Sequence, residues 1–197
     1  MRRYRSLGLV ALALVAAACG PRVRRLSLSD QRLPVEARRW LADAEDEVSI
    51  AAAERDQAQD SLRQAHDFEQ YVSRDVNPRW PSSASASGAR ERLGQLVRER
   101  IRLAQIELDV AERRVALARA RLVQTRAETA VRHDLASYEL DPLNRAVAGA
   151  QRALGRTVEQ AEAQRARTDE VTGAFWTAYA GYVRSGGRND VLWGWQQ

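Results

Sequence analysis

Few side chains in this sequence could take part in covalent or metal chemistry. Cys19 is the only cysteine among 197 residues, and His66 and His133 are the only histidines. Neither histidine has a glutamate three residues before it, as a helix-bundle metal site requires. The sequence also lacks a glycine-rich phosphate loop and the HExxH and GxSxG motifs. We therefore expect no enzyme activity, no catalytic residues, no metal ligands and no cofactor, which leaves the thiol of Cys19 to explain.

Cys19 follows a segment with the features of a secretory signal. Three of the first five residues are arginine, and Leu7–Ala18 is apolar apart from Gly8. A basic start followed by a short apolar run and small residues is the order found in signal peptides. The run is too short to cross a bilayer, which takes about 20 apolar residues. We predict that residues 1–18 are a signal peptide.

The stretch "VAAAC" at residues 15–19 resembles the lipobox of bacterial lipoprotein signals. The two alanines before Cys19 fit that pattern, whereas Ala16 stands where the family prefers leucine. The resemblance implies cleavage between Ala18 and Cys19, diacylglycerol on the Cys19 sulfur and an acyl chain such as palmitate on the new amino group. The alternative is a free cysteine in an ordinary signal peptide.

The residue after the cysteine bears on location. The family's sorting rule uses Asp at that position for retention in the inner membrane, and this chain has Gly20. The resemblance therefore implies the periplasmic face of an outer membrane. Three buried acyl chains anchor a protein far more tightly than one, at about 0.8 kcal/mol per buried methylene group.

Positive charge is concentrated beside the expected anchor. Without residues 1–18 the formal charge falls from +5 to +2; residues 19–39 carry a net +4 and residues 40–197 a net −2. We predict a basic tether at residues 19–33, in which Arg22, Arg24 and Arg25 contact anionic headgroups, at about 1 kcal/mol per charge. An ordinary solvated tether would have the same composition. The body shows no basic stripe for nucleic acid.

Apolar residues recur at alternating steps of four and three along most of the chain, a pattern typical of coiled-coil packing. It predicts an all-α fold, an elongated antiparallel coiled-coil bundle of helices at about 34–75, 89–139 and 142–184. The core positions include Ala37, Leu41 and Ala44 in the first helix and Gln164 and Thr168 in the third. They also include Arg55, which a hairpin fold brings beside Asp109 and Glu112. A second apolar stripe on the middle helix predicts a second helical neighbour; it consists of Leu96, Leu103, Val110 and Leu117.

The breaks between helices follow from proline, serine and glycine. Residues 73–88 contain two prolines and a serine-rich run, which predicts a loop. Asp141 and Pro142 predict an N-cap and a first helical residue, so that a third helix starts there. The alternative is a two-helix hairpin whose second arm is one long helix, kinked at the proline. Residues 185–197 then form a tail that contains tryptophans.

In the up-down-up arrangement Trp40 and Tyr138 fall at the end near Cys19, and the other aromatic residues of the mature chain collect at the far end. Phe68, Phe175 and Tyr182 are expected to plug that end of the bundle. Three tryptophans on the loop and tail are the candidate partner-contact residues, because tryptophan dominates interface hot spots. They are Trp80, Trp193 and Trp195.

These features favour a lipid-anchored scaffold or spacer of a bacterial cell envelope that acts through contacts with another envelope protein. The alanine-rich hairpin also resembles, in general form, the coiled-coil hairpins of periplasmic adaptor subunits in efflux and secretion systems, without their β-rich domains. A third hypothesis is a module whose tryptophans bind a glycan or a peptide. We expect contact with a membrane through the lipid and no contact with nucleic acid, and we leave self-association open.

Overall fold

A computed structural model describes Leu26 and residues 31–188, which include three long helices: α1 (Val35–Tyr71), α2 (Ala84–Arg132) and α3 (Leu140–Arg184). A π-helical turn (Val72–Val76) and a 3-10 turn (Asn77–Arg79) continue directly from α1. The described residues contain no β-strand. The all-α, elongated three-helix bundle predicted from the heptad pattern is confirmed. At 1.5 Å per residue the rod is about 70 Å long.

The middle helix packs against both outer helices, whereas α1 and α3 hardly approach each other. The predicted second stripe explains this arrangement, since three of its members, Leu96, Val110 and Leu117, are buried. Buried residues of α3 follow the predicted seam but begin only at Ala161. Residues 140–160 of α3 contain no fully buried side chain, so this half of the helix packs more loosely than the other.

One row of α2 residues, spaced seven apart, fixes the register of the helices. The Arg114 guanidinium lies 2.8 Å from the Glu54 carboxylate of α1, and Arg121 lies 3.7 Å from Glu47. A third member of the row, Glu107, accepts a 2.7 Å hydrogen bond from Arg165 of α3. Exposed ion pairs contribute little stability individually, but this row joins both outer helices to α2.

The helix ends differ from those predicted. Ser83 is the N-cap of α2 and its hydroxyl accepts a 3.3 Å hydrogen bond from the Ala86 amide, so the serine-rich run starts a helix five residues earlier than expected. α3 begins at Leu140, with Glu139 rather than Asp141 as N-cap. Residues 133–139 separate α2 from α3, which excludes the alternative of one kinked helix.

α2 ends at Arg132 rather than near residue 139, because a Schellman motif terminates it there. Asp134 adopts a left-handed conformation with φ 52°. The amide of Leu135 donates to the carbonyl of Ala130 (2.9 Å) and that of Asp134 donates to Val131 (3.2 Å). The same motif ends α3 around Gly186, whose φ is 90°.

Arg55 does not pair across the helices as expected. Its Nε donates a 3.0 Å hydrogen bond to its neighbour Asp56. In the folded hairpin Glu54 lies opposite Arg114. This register of α1 against α2 differs by about one helical turn from the register that would place Arg55 beside Asp109.

Candidate functional site at the aromatic pole

The end of the rod where α1 ends and α2 begins is closed by a cluster of aromatic side chains, which we call the aromatic pole. Trp80 and Tyr182 lie with ring centroids 5.1 Å apart, and Trp80 meets Tyr179 edge-on at 6.1 Å. Phe175 stacks on Tyr179 at 5.9 Å. The aromatic pole comprises Phe68, Tyr71, Trp80, Phe175, Trp176, Tyr179 and Tyr182. Aliphatic residues of the π-helical turn, α2 and α3 pack against it.

The predicted plug is confirmed for its central members. Phe175 is fully buried, Tyr182 is 2% exposed, and Phe68 is partly buried against the same cluster. The Arg100 guanidinium lies 5.8 Å from the centroid of the Phe68 ring, in cation–π geometry. Burial lowers the pKa of Arg100. The pole is therefore a packed end cap.

Trp80 was expected at a docking surface, and the structure buries it instead, at 8% exposure. The π-helical and 3-10 turns bring the chain back across the bundle end, and Trp80 follows in an extended conformation that turns its ring inward. Its indole Nε1 is buried without a hydrogen-bond partner among the described residues. Trp80 therefore belongs to the plug, and a partner could not reach it in this fold.

Tyr182 holds the beginning of the C-terminal tail. Its carbonyl accepts a hydrogen bond from the Gly187 amide (3.1 Å), and its hydroxyl accepts one from the Arg188 amide (3.1 Å). A Cβ atom at Gly187 would lie 2.4 Å from the Tyr182 ring, so only glycine fits there. The tail therefore leaves the rod at the aromatic pole. Trp193 and Trp195, further along it, lie outside the described residues.

The most exposed ring of the pole is that of Trp176 on α3, and a separate groove lies between α1 and α2 at the same end of the rod. Trp176 is 40% exposed, and its ring lies 5.0 Å from Phe175 and 5.9 Å from Tyr179. The groove encloses about 600 Å³ between the π-helical turn and the start of α2, and both charged and apolar side chains line it. Its lining includes Glu69, Ser73, Arg74, Asn77 and Arg98.

A buried carboxylate that the heptad pattern did not predict lies between α2 and α3. Glu99 is 6% exposed and accepts a 2.7 Å hydrogen bond from the side-chain amide of Gln164. The guanidinium groups of Arg102 and Arg167 lie on the solvent side of this carboxylate, and each is 3.3 Å from one of its oxygens. The heptad pattern had included Gln164 and Thr168 as polar core positions, but it had left Glu99 outside the seam. All the carboxylate's neighbours belong to the rod, so we assign Glu99 a structural role.

The opposite end of the rod, which we call the base, contains the described part of the predicted tether. Leu26 and Leu33 are buried there against Ala37, Leu41 and Ala130. Two residues of the predicted tether at 19–33, Leu26 and Leu33, thus pack on the bundle. Trp40 and Tyr138 lie at this end, as predicted. The other expected sites, Cys19, the Ala18–Cys19 bond, Arg22, Arg24 and Arg25, lie outside the described residues.

The described residues contain no candidate for a membrane span or for a metal site. None of their helices is both long and apolar enough to span a bilayer. No group of three or more His, Cys, Asp or Glu side chains within that part of the chain is arranged to hold a metal ion. His66 lies 3.3 Å from Glu69 on the exposed surface of α1.

No protein-family model, curated protein or solved structure matches this chain.

Proposed function

We propose that this protein is a lipid-anchored spacer of a bacterial envelope. Its acylated N-terminus holds the base of the rod at a membrane, and the aromatic pole docks onto another envelope protein about 70 Å away. The mechanism is mechanical: the helices transmit position and force, and no covalent step is involved.

One observation carries the proposal: the rod has two chemically different ends, and the chain connects one of them directly to the signal-like segment. α1 starts at the base, a few residues after Leu26, and runs without interruption to the aromatic pole. The only exposed tryptophan of α3, Trp176, and the start of the C-terminal tail lie at the far end. An anchor at one end and a contact surface at the other are what a spacer needs.

The heptad packing supports a stiff rod. α2 runs for 49 residues without a break and packs against a helix on each side. The ion pairs of the Arg114 and Arg121 row join α1 to α2 at matched positions. A long helix that is supported along its length holds its two ends at a fixed separation.

The anchor is tested by the mass of the mature protein. We expect the chain purified from membranes to begin at Cys19 and to carry the added mass of diacylglycerol and one acyl chain. A Cys19→Ser variant should lose this mass and leave the membrane fraction. An unmodified chain, or a Cys19→Ser variant that stays membrane-bound to the same extent, would contradict the lipid anchor.

A further inference from the structure

The base of the rod exposes two large apolar side chains. Val35, the first residue of α1, is 68% exposed, and Trp40 is 44% exposed one and a half turns later. The side chains of a helix lean toward its N-terminus. The side chains of both residues therefore lean toward the base of the rod. Five large apolar side chains of the described residues are exposed, and these two lie within the first six residues of α1.

The path of the chain limits how far this surface can be from a lipid on Cys19. Leu26 is buried in the base, and it follows Cys19 by seven residues. Seven fully extended residues span at most about 25 Å. A fully flexible tether to residue 33 would have allowed about twice that distance. The docking of Leu26 therefore holds Val35 and Trp40 within reach of the membrane surface.

From this geometry we infer that the base sits on the lipid bilayer itself, with Val35 and Trp40 in the headgroup region. Tryptophan is enriched at that depth, because its ring is apolar and its N–H is polar. The Arg132 guanidinium lies 4.9 Å from the centroid of the Trp40 ring, so a cation accompanies the ring. Seated in this way, the rod projects its aromatic pole away from the membrane at a defined height.

The charges around the base provide little net attraction to an anionic surface. Exposed arginines and exposed acids are present there in nearly equal numbers. The arginines are Arg32, Arg39 and Arg132, and the acids are Glu36, Asp43, Asp134 and Glu139. We therefore expect the base to contact the bilayer of neutral phosphatidylcholine vesicles as well as that of anionic vesicles. The inference rests on the proposed lipid anchor at Cys19.

The test uses a nitroxide label on the full lipidated chain in phosphatidylcholine vesicles. Because Cys19 is the only cysteine, an acylated parent takes no label, and Val35→Cys and Ile50→Cys each take one. Ile50 is the matched control, since it is 61% exposed on the same helix, about 22 Å further from the base. The label at residue 35 should be several-fold less accessible to a water-soluble nickel relaxant than the label at 50, and more accessible to oxygen.

The labelling results distinguish a failure of the lipid anchor at Cys19 from a failure of the seated base. Equal nickel accessibility at residues 35 and 50 in vesicle-bound protein would overturn the seated base and leave the anchor intact. A label at residue 35 shielded from both nickel and oxygen would also overturn it, since protein would then cover the site. A parent chain that accepts label at Cys19 would show that the cysteine is not acylated, and both the anchor and the seated base would fail.

Discussion

The side-chain amide of Gln164 donates a 2.7 Å hydrogen bond to the carboxylate of Glu99, and both residues are buried between α2 and α3. Thr168 completes the layer, because its hydroxyl lies 3.5 Å from the Glu99 carbonyl. A polar layer of this kind in an apolar seam fixes the register of two helices at some cost in stability.

This layer predicts a strongly non-additive pair of substitutions. Gln164→Leu should lower the free energy of unfolding by about 1–3 kcal/mol, because it removes the closest donor to a buried carboxylate. Glu99→Leu should also destabilise, since it leaves a buried amide poorly paired. The double variant should recover most of the loss. Urea unfolding followed by circular dichroism measures all three, and a double-variant loss equal to the sum of the single losses would refute the coupling.

The two tryptophans of the aromatic pole should lose very different amounts of stability when they are truncated. Trp80→Ala empties a packed site and should cost about 3–5 kcal/mol, whereas Trp176→Ala removes a half-exposed ring and should cost much less. Trp80→Phe is the informative control: it keeps a ring and removes the unpartnered N–H, so we expect only a small change in stability. Thermal unfolding compares the three variants. A larger loss for Trp176→Ala than for Trp80→Ala would contradict the burial described above.

The end of α2 offers a stabilising change. Asp134 occupies the left-handed position of a Schellman motif, and glycine adopts that conformation without the steric cost borne by other residues. We expect Asp134→Gly to raise the free energy of unfolding by up to about 1 kcal/mol. Gly186→Ala, at the equivalent position after α3, should lower it by a similar amount. Urea unfolding measures both changes, and a destabilising Asp134→Gly or a stabilising Gly186→Ala would show that the motif does not control the helix ends.

The loosely packed half of α3 should open more readily than the rest. Residues 140–160 contain no fully buried side chain, whereas seven residues between Ala161 and Tyr182 are buried. Amide hydrogen exchange should therefore be faster in residues 140–160 than in 161–184, because local opening there exposes little apolar surface. Uniform protection along α3, measured by mass spectrometry of its peptides, would mean that another contact covers its first half.

The heptad pattern was sufficient to predict three helices and their partners, because burial at every third or fourth position requires a neighbour. The seam residues Ala37, Leu41 and Ala44 are buried as expected. The helix ends depend on local hydrogen bonds, which the heptad pattern does not predict. Because of the Ser83 cap and the left-handed Asp134, both ends of α2 lie several residues from their predicted positions. Ser83, with its hydroxyl ahead of an alanine-rich run, was a signal that capping preferences could have found.

The burial of Trp80 and of Glu99 could not be predicted in the same way. Trp80 follows a proline-containing turn, which made exposure the natural expectation, and only the path of the π-helical turn carries its ring into the core. Glu99 lies outside the heptad seam because it faces α3 rather than α1. The positions of both side chains depend on how the third helix is placed, and a one-dimensional pattern does not specify that placement.

The most direct test of the proposed spacer is a photo-crosslinkable residue in place of Trp176 in living cells, with the same residue in place of Ile50 as the control. Amine-directed crosslinkers are unsuitable, since the sequence contains no lysine. We predict that residue 176 crosslinks to one recurrent protein, identified by mass spectrometry. Residue 50 should not crosslink to that protein. The same adducts from both positions, or crosslinks from residue 176 only within the chain, would contradict docking through the aromatic pole.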